Sequence, residues 1–147
     1  MGIEALLTRR NFIAGALVLA LSGCAGSLWT GNSAKGFPPL DPAKGRVFVY
    51  RTSTFGSAYT PDVLLNGEAL GKLDRPGLFF KDVPPGSYAV TTTKTSRVAN
   101  FAVGAGDKKY VRLTKGFFED QMHPELVDPA KGEPESSGLE VLAQRRK

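Results

Sequence analysis

The dipeptide Asn66-Gly67 constrains this chain most. Both residues accept positive φ, which a two-residue type I′ hairpin turn demands. Short β-forming runs flank it, at 60–65 and 68–73. Further turn signals follow at short spacing: Asp74-Arg75-Pro76-Gly77, Pro84-Pro85-Gly86 and Gly104-Ala105-Gly106-Asp107. In such turns proline pre-sets φ and glycine takes the left-handed position. Between them lie strand candidates at 77–83, 87–94, 98–103 and 109–114, with an opening strand at 47–50. Val47, Phe48, Val49 and Tyr50 are apolar on both faces, as suits a central strand. Ala99, Phe101 and Val103 share one face, and Val111 and Leu113 face them across an expected hairpin at 104–107. Seven strands with no helical stretch between them predict an all-β fold, a small antiparallel β-sandwich. A parallel sheet needs helical crossovers that this stretch lacks.

The C-terminal part is patterned differently. Residues 116–127 hold Phe117, Phe118, Met122, Leu126 and Val127 around Pro124. They read as an irregular segment leading into an edge strand, where proline is tolerated. Residues 128–135 are polar and read as a loop. Ser137-Gly138-Leu139-Glu140 fits a capping box, and Leu139, Leu142 and Ala143 share one helical face. A short C-terminal helix is therefore expected from there, ending in Arg145, Arg146 and Lys147, as the helix dipole favours.

The N-terminal part reads as an export signal. Arg9 and Arg10 precede a charge-free apolar run of ten residues, 12–21. A bilayer-spanning helix needs about 20 apolar residues, so this run is too short for one. Leu21-Ser22-Gly23-Cys24 follows, with the only cysteine of the chain. It resembles the lipobox of bacterial lipoproteins. That resemblance implies diacylglyceryl transfer to the Cys24 sulfur, cleavage before Cys24 and acylation of the new amino group. A thiolate suits alkyl transfer, and small neighbours let a peptidase approach. Acyl chains add about 0.8 kcal/mol per buried CH₂, and two or more give stable anchoring. Membrane lipid, through acylated Cys24, is the first partner expected. Ala25 stands where Asp would direct inner-membrane retention in enterobacterial-type lipoproteins, which favours the outer membrane, facing the periplasm. Thr8-Arg9-Arg10-Asn11-Phe12-Ile13 also resembles a twin-arginine export motif, departing from it at Ala14. An ordinary basic segment reads as well, so both export routes stay open.

Four segments result: a signal at 1–23, the lipidated Cys24 with a flexible linker to 44, a β-sandwich domain at 45–127, and a loop with a helix at 128–147. The linker is rich in Gly, Ser, Ala and Pro. Twenty residues of such chain span roughly 25 Å. Trp29, near the lipid site, fits either a headgroup-level position or packing on the domain.

Charge is unevenly spread over the chain, whose net charge is +5. Residues 44–115 carry +7 and residues 116–144 carry −6. An acidic C-terminal segment lying across a basic body accounts for this. A basic face for anionic headgroups or polysaccharide is the sharper alternative. No nucleic-acid module is present, and export makes nucleic acid an unexpected partner.

Two stretches carry a wider resemblance. Val63-Leu64-Leu65-Asn66-Gly67-Glu68-Ala69-Leu70-Gly71, then Val83-Pro84-Pro85-Gly86-Ser87-Tyr88, resemble a pattern shared by two bacterial groups. One is the PEGA-type surface domains. The other is a lipoprotein family known as domain of unknown function 2846, whose opening strand residues 45–51 also resemble. The resemblance spans roughly residues 45–127 and implies a β-sandwich of the transthyretin or immunoglobulin kind. Its motifs mark turns and bring no catalytic residues with them.

Candidate chemistry is sparse. His123 is the only histidine, and Glu125, Glu119 or Asp128 are its possible co-ligands. A lone surface histidine is the plainer reading, so no metal is expected. Without a second histidine or a spare cysteine the usual catalytic triads cannot be built. No enzyme activity and no cofactor are expected. Gly104-Ala105-Gly106 does not open a helix, as a phosphate loop would. The aromatics exceed what one small core needs. Phe55 and Tyr59, in the Gly/Ser-rich loop 52–59, are the candidate contact residues. The expected role is a membrane-tethered interaction module with an envelope protein as partner. Binding of a small ligand or glycan is the alternative.

Overall fold

A computed structural model describes residues 36–144 except Gly56, Ser57, Tyr59 and Asp120. Arg9, Arg10, Leu21, Ser22, Gly23, Cys24 and Trp29 lie outside the described residues, as does Tyr59. The strands run in chain order as β1 (Gly45–Arg51), β2 (Asp62–Leu65), β3 (Glu68–Lys72), β4 (Gly77–Val83), β5 (Gly86–Thr92), β6 (Ala99–Val103), β7 (Lys108–Lys115) and β8 (Met122–Val127). One helix, α1 (Pro129–Ser137), follows. Two four-stranded sheets pack as a sandwich, ordered β4-β1-β7-β8 and β3-β2-β5-β6. The fold is mostly β with one short C-terminal helix, as the sequence led us to expect.

Local chemistry explains the hairpin at 66–67. Asn66 and Gly67 have φ of 49° and 80°, the left-handed pair that the type I′ turn requires. Asn66 Oδ1 also accepts the Ala89 N–H at 2.8 Å, which fastens the turn to β5. Opposite Gly71 the pairing of β2 with β3 slips by one residue between Val63 and Leu64.

Two expectations need correction. The 104–107 turn is not a hairpin, because β6 and β7 belong to opposite sheets. It arches over the core, and Val103 and Val111 both belong to the cluster buried between the sheets. Turn residues report a reversal of direction without saying whether the chain returns to its own sheet. Nor is the sandwich wholly antiparallel: β1 and β7 pair in parallel at the centre of their sheet. The intervening chain crosses through the second sheet rather than through a helix.

The helix also sits earlier than expected. Asp128 caps α1 by accepting the Ala130 N–H at 2.8 Å, and Pro129 occupies the first turn. The expected capping box at 137–140 marks the end of α1, where the Gly138 N–H bonds the Ser136 carbonyl. The chain turns at Gly138, and no helix follows among the described residues. Val141 bridges Leu78 in parallel, adding a short strand to the β4 edge. Periodicity missed α1 because its buried residues are Gly132 and Ser136, not an apolar stripe.

Two cores result from β1 being apolar on both faces. Val47 and Val49 join Val63, Phe79, Val90 and Val111 between the sheets. Phe48 and Tyr50 point the other way and join Leu78, Tyr110 and Val127. This outer core is roofed by α1, by Leu139 and Val141, and by Phe37. Phe37 meets Phe48 and Phe80 edge-on at 5.0 and 5.2 Å, so the last residues of the expected linker dock on the domain. Among the described residues, both cores are drawn from residues 37–142.

Candidate functional site

β1 and β7 run in parallel, so Arg51 and Lys115 leave the first sheet at the same end. Thr92 Oγ1, at the end of β5, donates to the Met122 carbonyl at 2.8 Å and brings the second sheet's 93–98 loop to that end. Four connections converge there: 52–61, 73–76, 93–98 and 116–121. The chain enters β1 at the opposite end, about 20 Å away at 3.3 Å per residue.

Arg51 builds the first loop. It is fully buried at the end of β1. Its Nε donates to the Ser53 carbonyl at 2.8 Å, Nη1 to Leu73 and Nη2 to Phe55, both at 2.9 Å. Burial lowers its pKa, and Asp74 works against that shift. The planar fork of guanidinium donors matches three carbonyls at fixed angles, which an ammonium does not. The backbone of 53–55 is thereby held in one shape while the Phe55 ring faces outward.

A second network builds the 116–121 loop. Arg97 Nη2 donates to Glu119 Oε1 at 2.8 Å, and the Gly116 N–H donates to Glu119 Oε2 at 3.2 Å. His123 Nδ1 stands 3.0 Å from the same Oε2. Its Nε2 lies 3.1 Å from Arg97 Nη1 and 3.0 Å from Thr114 Oγ1. Arginine can only donate, so Nε2 is the acceptor in that contact, and Nδ1 is the nitrogen that faces Glu119. The lone histidine is thus a strut that ties β8 to two loops.

Aromatic rings stand on this frame. Phe117 is 79% exposed and Phe118 96% exposed, at the tip of the β7–β8 hairpin. Phe117 stacks on Phe55 at 6.0 Å, and Phe118 meets Phe117 edge-on at 5.3 Å. The Lys115 ammonium lies 5.3 Å from the Phe55 ring centre. Val98, on the 93–98 loop, is 44% exposed. Among the described residues, every large exposed apolar side chain except Leu126 is on this loop end.

The outer face of the first sheet is occupied by ion pairs. Glu135 of α1 receives the Tyr50 hydroxyl at 2.7 Å and Arg112 Nη1 at 3.0 Å, and Arg112 Nη2 reaches Glu125 at 3.0 Å. Burial first, then the Glu135 hydrogen bond, raise the Tyr50 pKa well above the usual phenol value. The bond to Glu125 raises that of Arg112, against the effect of burial. Glu133 reaches Lys108 at 3.3 Å and Glu140 reaches Arg75 at 3.4 Å. The acidic C-terminal segment does lie across the basic body. Below α1 a cleft of about 320 Å³ is lined by Phe37, Leu40, Arg46, Phe48, Lys108 and Tyr110. Arg46 is held there by Asp82 and by the Pro38 carbonyl, with its guanidinium 4.9 Å from the Phe80 ring centre.

Comparison with known proteins adds a family. A family model described as a protein of unknown function, DUF2846, matches residues 41–124. The chain belongs to the DUF2846 family. The match takes in β1 to β7 and the start of β8, and so includes Phe55, Phe117 and Phe118. An uncharacterized protein of Haemophilus influenzae is 25% identical over 147 residues, covering 95% of this chain and 86% of its own. No solved structure matches.

Within this DUF2846 chain, Phe55 is placed on an exposed tip, 48% exposed. Its expected companion Tyr59 lies outside the described residues. The rings that do stack with it, Phe117 and Phe118, read in the sequence as part of an irregular apolar segment. Their adjacency in a hairpin turn was the available signal, since paired apolar residues at a turn have no strand face to bury. Of the residues weighed around His123, Glu119 is beside it, whereas Glu125 binds Arg112 and Asp128 caps α1. Among the described residues, no group of three or more His, Cys, Asp or Glu is placed to hold a metal ion.

Proposed function

We propose that the protein is a lipid-anchored lipoprotein of the bacterial cell envelope that acts as a non-enzymatic interaction module. Acylated Cys24 tethers it to the outer membrane on the periplasmic side, and the loop end makes the contact. The aromatic tip carries this reading. Phe117 and Phe118 are nearly bare, yet the loops beneath them are held by a buried arginine and a Glu119–Arg97–His123 network. A rigid frame under exposed rings lowers the ordering cost of binding. Burial comes first among the causes that shift Tyr50 and Arg51, and both side chains are hydrogen-bonded within the fold, to Glu135 and to backbone carbonyls. A relation to PEGA-type surface domains belongs to the same proposal and rests on the Asn66-Gly67 and Pro85-Gly86 turn pattern.

Mass spectrometry of the protein from its native host tests the anchor. A diacylglyceryl-modified, cleaved Cys24 is expected; a bare thiol with residues 1–23 attached would refute it. A photo-crosslinker at position 118 in living cells tests the tip, which should capture an envelope component.

The cleft below α1 supports a second reading, binding of a glycan or small ligand. Its aromatic floor of Phe37, Phe48 and Tyr110 beside Arg46 and Lys108 has the composition of such sites. Cell-wall fragments that raise the melting temperature, and fail to do so after Phe37→Ala, are the expected result of that reading.

A further inference from the structure

The aromatic tip has the form of a membrane contact. Its rings protrude, with Phe117 79% and Phe118 96% exposed. The depression beside it is lined by Thr95, Ser96, Arg97, Glu119, Gln121 and His123, all polar, so the tip is no small-molecule site of the usual apolar kind. The neighbouring loop 52–61 contains no charged residue. Lys115, whose ammonium lies 5.3 Å from the Phe55 ring centre, and Arg97, paired with Glu119, stand at this end, where cations meet lipid phosphates when aromatic rings sit at the interface. Glu119 is engaged by Arg97, His123 and the Gly116 N–H, which offsets its charge near that surface.

The length of chain outside the structure permits the contact. Eleven residues separate Cys24 from Gly36, and extended they reach about 38 Å. The described chain begins beside Phe37, which packs on Phe48 near the middle of β1, not at the far end of the sandwich. From there the loop end is about 10 Å away. A domain tethered at Cys24 can therefore lay its loop end on the bilayer that anchors it.

We propose that Phe55, Phe117 and Phe118 insert into the headgroup–acyl boundary of a lipid bilayer as a second membrane contact. This rests on the interaction-module reading and names lipid as what the tip contacts. The tip would then set the orientation of the domain and hold α1 and its cleft clear of the membrane.

Co-sedimentation of the chain from Ala25 onward with phosphatidylethanolamine–phosphatidylglycerol vesicles tests this. That chain contains both cores and lacks Cys24, so its result is independent of lipidation. A failure of the anchor shows only in the mass of the native protein, and a failure of the tip shows only here. Wild type should bind the vesicles. Phe117→Ser with Phe118→Ser should weaken binding roughly tenfold or more, the loss expected from two exposed rings that no longer bury. The melting temperature should stay unchanged, and Leu126→Ser, on the β8 edge, should bind as wild type does. In a Trp29→Phe background, Phe118→Trp fluorescence should be quenched by brominated lipid. A wild type that stays in the supernatant would overturn the proposal. So would a double variant that binds undiminished, a tryptophan that lipid bromine leaves unquenched, or a residue-118 crosslinker that captures a protein in cells and no lipid.

Discussion

Phe79 closes over Gly71. Gly71 has φ of +146°, and a Cβ built on it would lie 2.8 Å from the Phe79 Cζ. Phe79 is fully buried between the sheets, so its ring has little room to retreat. Gly71→Ala is expected to destabilise by about 2–3 kcal/mol, through backbone strain plus overpacking. Gly67 also has a positive φ but meets nothing within 4 Å. Gly67→Ala should cost only the strain, about 1–2 kcal/mol. Urea midpoints of the two variants check the order.

Arg51 supplies hydrogen bonds to three carbonyls at the base of the 52–61 loop. Arg51→Met keeps much of the volume and leaves those acceptors without their donor. A loss of about 2–4 kcal/mol is expected. Amide exchange should accelerate at Ser53 to Phe55 more than in β7. Arg51→Lys should recover only part of the stability, since one ammonium cannot match the fork.

Tyr50 and Tyr110 should titrate late. Burial, then Glu135, raise Tyr50, and burial pushes Tyr110 up to about 12. Groups raised in the folded state contribute stability that is complete below their unfolded value, about 10 for a phenol. That contribution is lost as pH rises through the folded values. Stability should therefore fall above about pH 10. Absorbance at phenolate wavelengths should show two tyrosines ionising only as the fold is lost. Tyr50→Phe should move part of that alkaline loss away.

Asp107 accepts the Gly104 N–H at 2.9 Å, and this bond, aided by Lys109, holds its carboxyl below the usual carboxylate range. A lowered folded pKa stabilises above the unfolded value and ceases to do so as pH falls through the folded one. The Gly104 amide resonance should titrate with a midpoint below about 3.9. A midpoint at or above that value would contradict the assignment.

Gly132 lets α1 approach the sheet. A Cβ there would run into the Tyr110 Cβ, the base of a side chain, which cannot swing away. Alanine raises helix propensity by about 1 kcal/mol, but the clash should outweigh this. Gly132→Ala should melt earlier, and the Tyr50–Glu135 hydrogen bond should loosen, seen as a downward move of the Tyr50 titration.

The sequence determined whatever depends on a few neighbouring residues. Asn66-Gly67 specified a hairpin because its backbone angles are a local property. Val47 to Tyr50 specified a central strand because a run with two apolar faces must be covered twice. Pro124 specified an edge strand because it has no N–H to share. Only the tertiary structure decided the rest. The turn at 104–107 could close a hairpin or arch between sheets, and packing across the interior chose the arch. Gly132 and Ser136 make a helix face from small residues, which matters only against Tyr110. Phe55 and Phe117 lie far apart along the chain and meet because β1 and β7 run parallel and end together. A contact between distant segments depends on strand order and register, and no stretch of neighbouring residues encodes these alone.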